Sequence, residues 1–170
     1  MEKREGIITF GGEPKVLVGS EIKVGAKAPE FTAVKNDLSE FKFSETSGKV
    51  RIISVVPSID TGVCSLQTRS FNEDAADLGD VLILTLSMDL PFAQSRFCAA
   101  EGIDKVVMLS DYKDADFGLK YGFLIEDLRL LTRGVIVVDK DDTVKYVEYV
   151  GEVTEHPDYD AALSAARELI

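Results

Sequence analysis

The sequence predicts an α/β fold, with helices packed over the faces of a central sheet. Three observations carry this. Several runs of Val, Ile and Leu have strand length and no polar alternation, as in strands covered on both faces. Between them lie segments with helical spacing of apolar residues. The two kinds alternate along the chain, the pattern of an α/β sandwich.

Residues 7–18 set alternating apolar residues on either side of Gly11-Gly12, a β-hairpin signal. Residues 24–31 (Val24-Gly25-Ala26-Lys27-Ala28-Pro29-Glu30-Phe31) read as an irregular connection, and Phe41 and Phe43 alternate with polar neighbours like a short strand. Strands are expected at Arg51–Val56, Val81–Met88, Val106–Ser110, Gly134–Asp139 and, after a turn at Asp141-Asp142, Val144–Val150. The segment Thr61–Leu78 carries Val63, Leu66, Phe71, Ala75 and Leu78, an imperfect helical stripe. Pro91–Glu101 opens on a proline and stops at Gly102, the usual asymmetry of a helix. Pro157–Ile170 has the clearest helical period, with Tyr159, Leu163, Ala166 and Ile170 on one face.

No repeat, low-complexity stretch or linker interrupts this order, so one domain is expected over residues 1–170. Hydrophobic residues make up 45% and charged residues 29%, an ordinary soluble balance that allows a core without disulfides or metal. A net charge of −11 opposes nucleic acid, whose phosphates need a basic surface, and opposes an anionic membrane. Residues 1–10 start charged and contain no long apolar run, so no secretory signal is expected. The chain reads as cytoplasmic.

Two cysteines then need a reason. In a reducing cytosol such a pair is more often catalytic, redox-sensing or metal-binding than structural. One histidine and the absence of Cys-x-x-Cys argue against zinc, and no metal or other cofactor is expected.

The informative segment is Ser54-Val55-Val56-Pro57-Ser58-Ile59-Asp60-Thr61-Gly62-Val63-Cys64. A buried strand ends at Pro57, a short turn follows, and Cys64 falls in the first turn of the next helix. A helix N-terminus presents unpaired N–H groups and about half a positive charge. Both favour a thiolate, the nucleophilic form of cysteine. Thr61 stands three residues earlier, where its hydroxyl can reach the sulfur, and Pro57 can fix the turn and shield it from water. By residue type alone Cys64 would be a small buried hydrophobe, the commonest role of a free cysteine. The arrangement around it points to a nucleophile instead.

Pro57-x-x-x-Thr61-x-x-Cys64 resembles the active-site motif of the peroxiredoxins. The fuller stretches Ser58–Cys64 and Ser87-Met88-Asp89-Leu90-Pro91-Phe92-Ala93-Gln94 are similar to the bacterial thiol peroxidase branch. The resemblance extends over nearly the whole chain, including the hairpin, residues 24–31, Arg133 ahead of the Gly134 strand, and Pro157-Asp158-Tyr159. It implies a thioredoxin-like fold, a central mixed sheet flanked by helices with an N-terminal β-hairpin. It also implies a peroxidatic Cys64, a resolving Cys98, and a peroxide-activating site completed by Thr61 and Arg133. Hydroperoxide is then the substrate, a Cys64–Cys98 disulfide the oxidised product, thioredoxin the reductant and a homodimer the assembly.

Other residues read more plainly. Leu90, Phe92 and Phe97 are core candidates that could also wall an apolar groove for alkyl hydroperoxides, with Pro57 beside them. Cys98 by itself is a core candidate next to Phe97. Arg69 and Arg96 are solvated helix positions, Arg96 with a possible assisting role near Cys98. His156 is a loop residue, and Tyr146, Tyr149 and Tyr159 are packing residues. A thiol–disulfide oxidoreductase on the same fold is disfavoured by the missing Cys-x-x-Cys. An inert binding protein would leave Thr61, Cys64 and Arg133 without a role.

Overall fold

The computed structural model describes residues 2–170, apart from the side chains of Ala75 and Ala76; the Ala75 position of the expected helical stripe therefore lies outside the described side chains. Two strands open the chain, β1 (Lys3–Phe10) and β2 (Glu13–Val18). Then follow β3 (Thr32–Lys35), β4 (Glu40–Lys42), β5 (Val50–Val55), α1 (Gly62–Leu78), β6 (Val81–Ser87) and α2 (Pro91–Glu101). The order continues with β7 (Val106–Ser110), α3 (Asp116–Tyr121), β8 (Leu124–Ile125), β9 (Gly134–Val138), β10 (Val144–Tyr149) and α4 (Tyr159–Arg167).

Seven strands form one mixed sheet in the order β10-β9-β5-β6-β7-β3-β4. Strands β5, β6 and β7 run parallel, and β9 pairs antiparallel with β5. The central strand β5 is buried along its whole length, which explains its unbroken apolar run. Its residues divide by alternation: Ile53 and Val55 enter one core, Val50 and Ile52 the other. The first core holds an aromatic cluster in which the Phe31 ring lies 5.2 Å from Phe43, 5.0 Å from Phe117 and 5.5 Å from Tyr121. The second core takes Phe71 and Leu78 of α1, Ala162, Leu163 and Ala166 of α4, and the flank of α2 with Phe97 and Cys98. Both cysteine-bearing helices thus lie on the same face of the sheet.

Strands β1 and β2 form the expected hairpin, turned through Gly11 and Gly12 at φ +61° and +83°. Positive φ at both turn positions is what a tight hairpin with right-handed twist requires. The hairpin is longer than residues 7–18, starting at Lys3, because β2 gains β8 as a second partner.

Helix α2 matches its expected limits, since Pro91 at its first position and Gly102 in the left-handed region bound it. Helix α4 is shorter than Pro157–Ile170. The Asp158 side chain caps it by accepting from the N–H of Ala161, leaving Pro157 outside, and Ile170 past its end is exposed. Phe43 lies in a 3₁₀ turn after β4, not in the strand, and its ring fills the aromatic core. Leu66 departs from the α1 stripe and is 43% exposed, whereas Phe71 and Leu78 are buried. The short β3, α3 and β8 carry no period long enough to detect from sequence. Among the described residues, no helix is long and apolar enough to cross a membrane.

Candidate functional site

Strand β5 delivers the chain to Pro57, which is buried, and the turn after it leads to Thr61 at the N-cap of α1. Thr61 Oγ1 accepts from the backbone N–H of Cys64 at 3.4 Å, and its hydroxyl faces the Ser58 carbonyl at 3.5 Å. Its hydroxyl therefore serves first as the helix cap, with the extended backbone typical of that position. Cys64 sits in the first helical turn with a relative exposure of 0%.

Arg133 meets it from the other side of β5. Strand β9 pairs with β5 in the register Val55↔Gly134, so the residue just before Gly134 is placed beside the turn that leaves β5. A side chain at position 134 would collide with the Glu148 carbonyl of β10 and the Phe123 ring, which makes glycine obligatory there. The Arg133 side chain is buried and all three of its nitrogens are used. Nη2 donates to Cys64 Sγ at 3.1 Å, Nη1 to Gln67 Oε1 at 2.9 Å, and Nε to the Val153 carbonyl at 2.7 Å. A guanidinium fork fixed at two points is a rigid donor for whatever anion forms at the third.

Tyr159 of α4 borders the same space. Its ring packs edge-on against Phe71 at 5.5 Å, and its hydroxyl lies 2.8 Å from His156 Nδ1. Burial pushes the Tyr159 hydroxyl up to about 12, opposed by the Arg133 charge and aided by Cys64. Tyr159 is thus a packing residue, as expected, standing near enough to Arg133 and Cys64 for their charge to act on its hydroxyl.

Cys98 occupies the last turns of α2 and is half-buried; both cysteines are free thiols. Burial raises the Cys98 thiol above its ordinary value, and a hydrogen bond with Asn36 opposes this. Leu90 and Phe92, at the start of α2, are 50% and 67% exposed. They are not core residues, which corrects one of the two readings of their type. The face of α2 that packs is marked instead by the buried Pro91 and Gln94, and Leu90 at the N-cap and Phe92 at the second position lie off it. Phe97 is half-buried against the second core. Arg69 reaches Glu101 of α2 at 3.8 Å, with both side chains well exposed.

The redoxin family model matches residues 23–163, from the connection before β3 into α4. A thiol peroxidase from Oceanobacillus iheyensis is 61% identical, over 92% of this chain and 96% of its own length. The chain belongs to the redoxin family, in its thiol peroxidase branch. It is a peroxiredoxin-type enzyme, an oxidoreductase. The crystal structure of a peroxiredoxin-like protein from Aquifex aeolicus superposes with a TM-score of 0.91 at 42% identity, covering 98% of this chain and 99% of that one. A thiol peroxidase from Chromobacterium violaceum shares the fold, with a TM-score of 0.86 at 21% identity over 95% of each chain. The thioredoxin-like fold expected from the motifs is the one found, with four α-helices among the described residues, a mixed sheet and an N-terminal strand pair.

Gln67 is the residue that sequence reasoning passed over. Three positions after Cys64 it shares that residue's face of α1. It accepts from Arg133 and donates through Nε2 to Ser54 Oγ at 2.8 Å, tying the arginine to β5. The only signal in the sequence was a polar residue on the face of α1 that its own stripe turns towards the sheet.

Proposed function

We propose that this peroxidase works through Cys64, and that Arg133, Thr61 and Cys98 are the other residues of its cycle. The observation that carries the reading is the Arg133 Nη2 to Cys64 Sγ hydrogen bond at the N-terminus of α1. A buried cation and a helix N-terminus converge on one sulfur, an arrangement suited to an anionic nucleophile. The thiolate attacks the terminal oxygen of R–O–O–H. The S–O bond forms, the O–O bond breaks, and the peroxide proton stays on the oxygen now bound to sulfur. The departing alkoxide takes a proton from solvent to leave as alcohol, or as water when R is hydrogen. Arg133 donors stand where that negative charge develops, the role of preorganised donors in catalysis. Thr61, as the cap, orients the first turn and can turn its hydroxyl towards a bound peroxide.

The product is a Cys64 sulfenic acid, which condenses with a thiol to a disulfide. Cys98 is the candidate, on a separate helix over the same face of the sheet. A disulfide needs Cα atoms about 5.5–6 Å apart, a spacing that cysteines on two separate packed helices rarely meet, so the closing step is read as local unwinding of one helix. Helix α2 is the weaker. Of its described residues Pro91 and Gln94 alone are buried, whereas α1 buries Cys64, Gln67, Thr68, Phe71 and Leu78. Thioredoxin then reduces the disulfide by thiol–disulfide exchange.

Leu66, Leu90 and Phe92 are exposed around the ends of the helices that border the site, and Pro57 is buried beneath it. This apolar rim suits alkyl and lipid hydroperoxides, or the contact face of a homodimer in a cytoplasmic enzyme. The test is peroxide consumption in the presence of thioredoxin, its reductase and NADPH. NADPH oxidation on adding cumene hydroperoxide or hydrogen peroxide is expected, with a higher second-order rate for cumene hydroperoxide. No NADPH oxidation with either peroxide would refute the reading.

A further inference from the structure

One carboxylate fastens together the two segments that carry the cysteines. Asp89 lies in the short connection between β6 and α2, two residues before the first residue of α2. Its Oδ1 accepts from Ser58 Oγ at 2.8 Å, and its Oδ2 accepts from the backbone N–H of Ile59 at 2.9 Å and from Ser87 Oγ at 2.7 Å. Ser58 and Ile59 belong to the turn that ends in Thr61 and Cys64. On the other side, Asp89's own carbonyl accepts from Ser110 Oγ at the end of β7. Gln94 of α2 donates to Ser87 Oγ at 3.0 Å and to the Leu109 carbonyl at 2.9 Å. Hydrogen bonds to an ionised acceptor are roughly twice as strong as neutral ones. Asp89 is therefore the strongest polar link between the Cys64 turn and the root of the Cys98 helix.

We infer that Asp89 is a positioning residue that acts as a latch. Engaged, it holds the Ser58–Ile59 turn so that Cys64 Sγ meets Arg133, and it holds the start of α2 folded, with Cys98 in its helix. Released, it lets the two segments part and α2 unwind. The latch thereby sets the balance between reaction with peroxide and closure of the disulfide. This inference rests on the reading of Cys64 and Cys98 given above. In the closing step the Cys98 thiolate attacks the sulfenic sulfur; an S–S bond forms, the S–O bond breaks, and the hydroxide leaves as water with the proton that Cys98 gave up. Asp89 exchanges neither proton nor electron in that step. While it is engaged, the sulfenic acid stays available to a second peroxide, which carries it to sulfinic acid.

The test uses rapid mixing of the reduced protein with cumene hydroperoxide, alkylation of free thiols, and intact mass over time. Asp89→Asn keeps the shape but offers one acceptor oxygen in place of two. It is expected to slow Cys64 oxidation about tenfold, the scale of losing a hydrogen bond to a charged group. The same variant is expected to close the Cys64–Cys98 disulfide several times faster and to accumulate less sulfinic acid under excess peroxide. Ser58→Ala removes the Oδ1 bond, together with the bond that Ser58 Oγ accepts from the Asp60 N–H at 3.1 Å, but leaves both Oδ2 bonds, and is expected to shift both rates in the same directions by less. A merely structural role would slow both steps together, and that result, or two unchanged rates, would overturn the latch. A parent protein that consumes peroxide without forming a Cys64–Cys98 disulfide would refute the underlying reading, and the latch with it. These two failures are distinguished by the parent alone.

Discussion

Arg133 Nη2 and Cys64 Sγ are 3.1 Å apart, and the guanidinium that spans this gap is held at its other nitrogens by Gln67 and the Val153 carbonyl. The arrangement separates charge from geometry, and the two can be tested apart. Arg133→Lys keeps a cation but loses the fork. It is expected to lower the second-order rate with peroxide by about a hundredfold, the scale of removing one preorganised donor. Gln67→Ala keeps the cation and the fork but frees one end of it, and a loss of roughly tenfold is expected. Stopped-flow measurement of Cys64 oxidation checks both.

Cys98→Ser separates the oxidation from the resolution of Cys64. The variant is expected to consume one equivalent of peroxide at the parent rate and then to stop with thioredoxin as the only reductant. Counting peroxide consumed per protein in the coupled assay checks this. Continued turnover at the parent rate would show that Cys98 is not the resolving thiol.

The Cys98 thiol gives the closing step a pH dependence whose sign follows from burial. Its folded value is raised above the ordinary 9.0, chiefly by desolvation. The folded helix therefore favours the neutral thiol. The stability this lends α2 is fully present below pH 9 and is lost as pH rises through the raised value. Between pH 7 and 9 the fold around Cys98 is unaffected, but the attacking thiolate of the unwound helix grows with pH, so disulfide closure should accelerate; above pH 9 unwinding is favoured as well. Quenched-flow trapping of the disulfide as a function of pH measures it.

Glu152 anchors the hairpin to the loop that holds Arg133. Its carboxylate accepts from the Thr9 and Thr154 hydroxyls and from the N–H groups of Gly11, Gly12 and Thr154. These bonds, the Thr154 hydroxyl first, hold its carboxyl well below the usual glutamate range. The contribution is present above the ordinary glutamate value and is lost as pH falls below it, through the lowered one. The next residue is Val153, whose carbonyl accepts from Arg133 Nε. Glu152→Gln is expected to lower the melting temperature at pH 7, and the difference from the parent should shrink as the pH falls from 5 to 3. Thermal unfolding followed by circular dichroism at several pH values checks both.

Local signals made part of this site legible in the sequence. Pro57, Thr61 and Cys64 lie within one strand-to-helix turn, and Pro91 and Gly102 bracket α2, because caps and turns are written in neighbouring residues. Arg133 is 69 positions from Cys64 and meets it only through the β5–β9 register. Nothing local encodes that pairing, and only the family resemblance pointed to it. Gln67 looked like any polar helix residue because its partners come from two other elements. Leu90 and Phe92 suggested core by type, yet the start of α2 turns them outward. Asp89 stood inside a recognised motif, but its bonds to Ser58 and Ile59 cross between two loops.

The central claim is that Cys64 is the sulfur that peroxide oxidises. Its most direct measurement is the hydroperoxide consumption of Cys64→Ser beside the parent, with thioredoxin, its reductase and NADPH present and folding confirmed by circular dichroism. The account expects consumption to fall to the rate without protein, with Cys98 left as a free thiol. Consumption at the parent rate would contradict it.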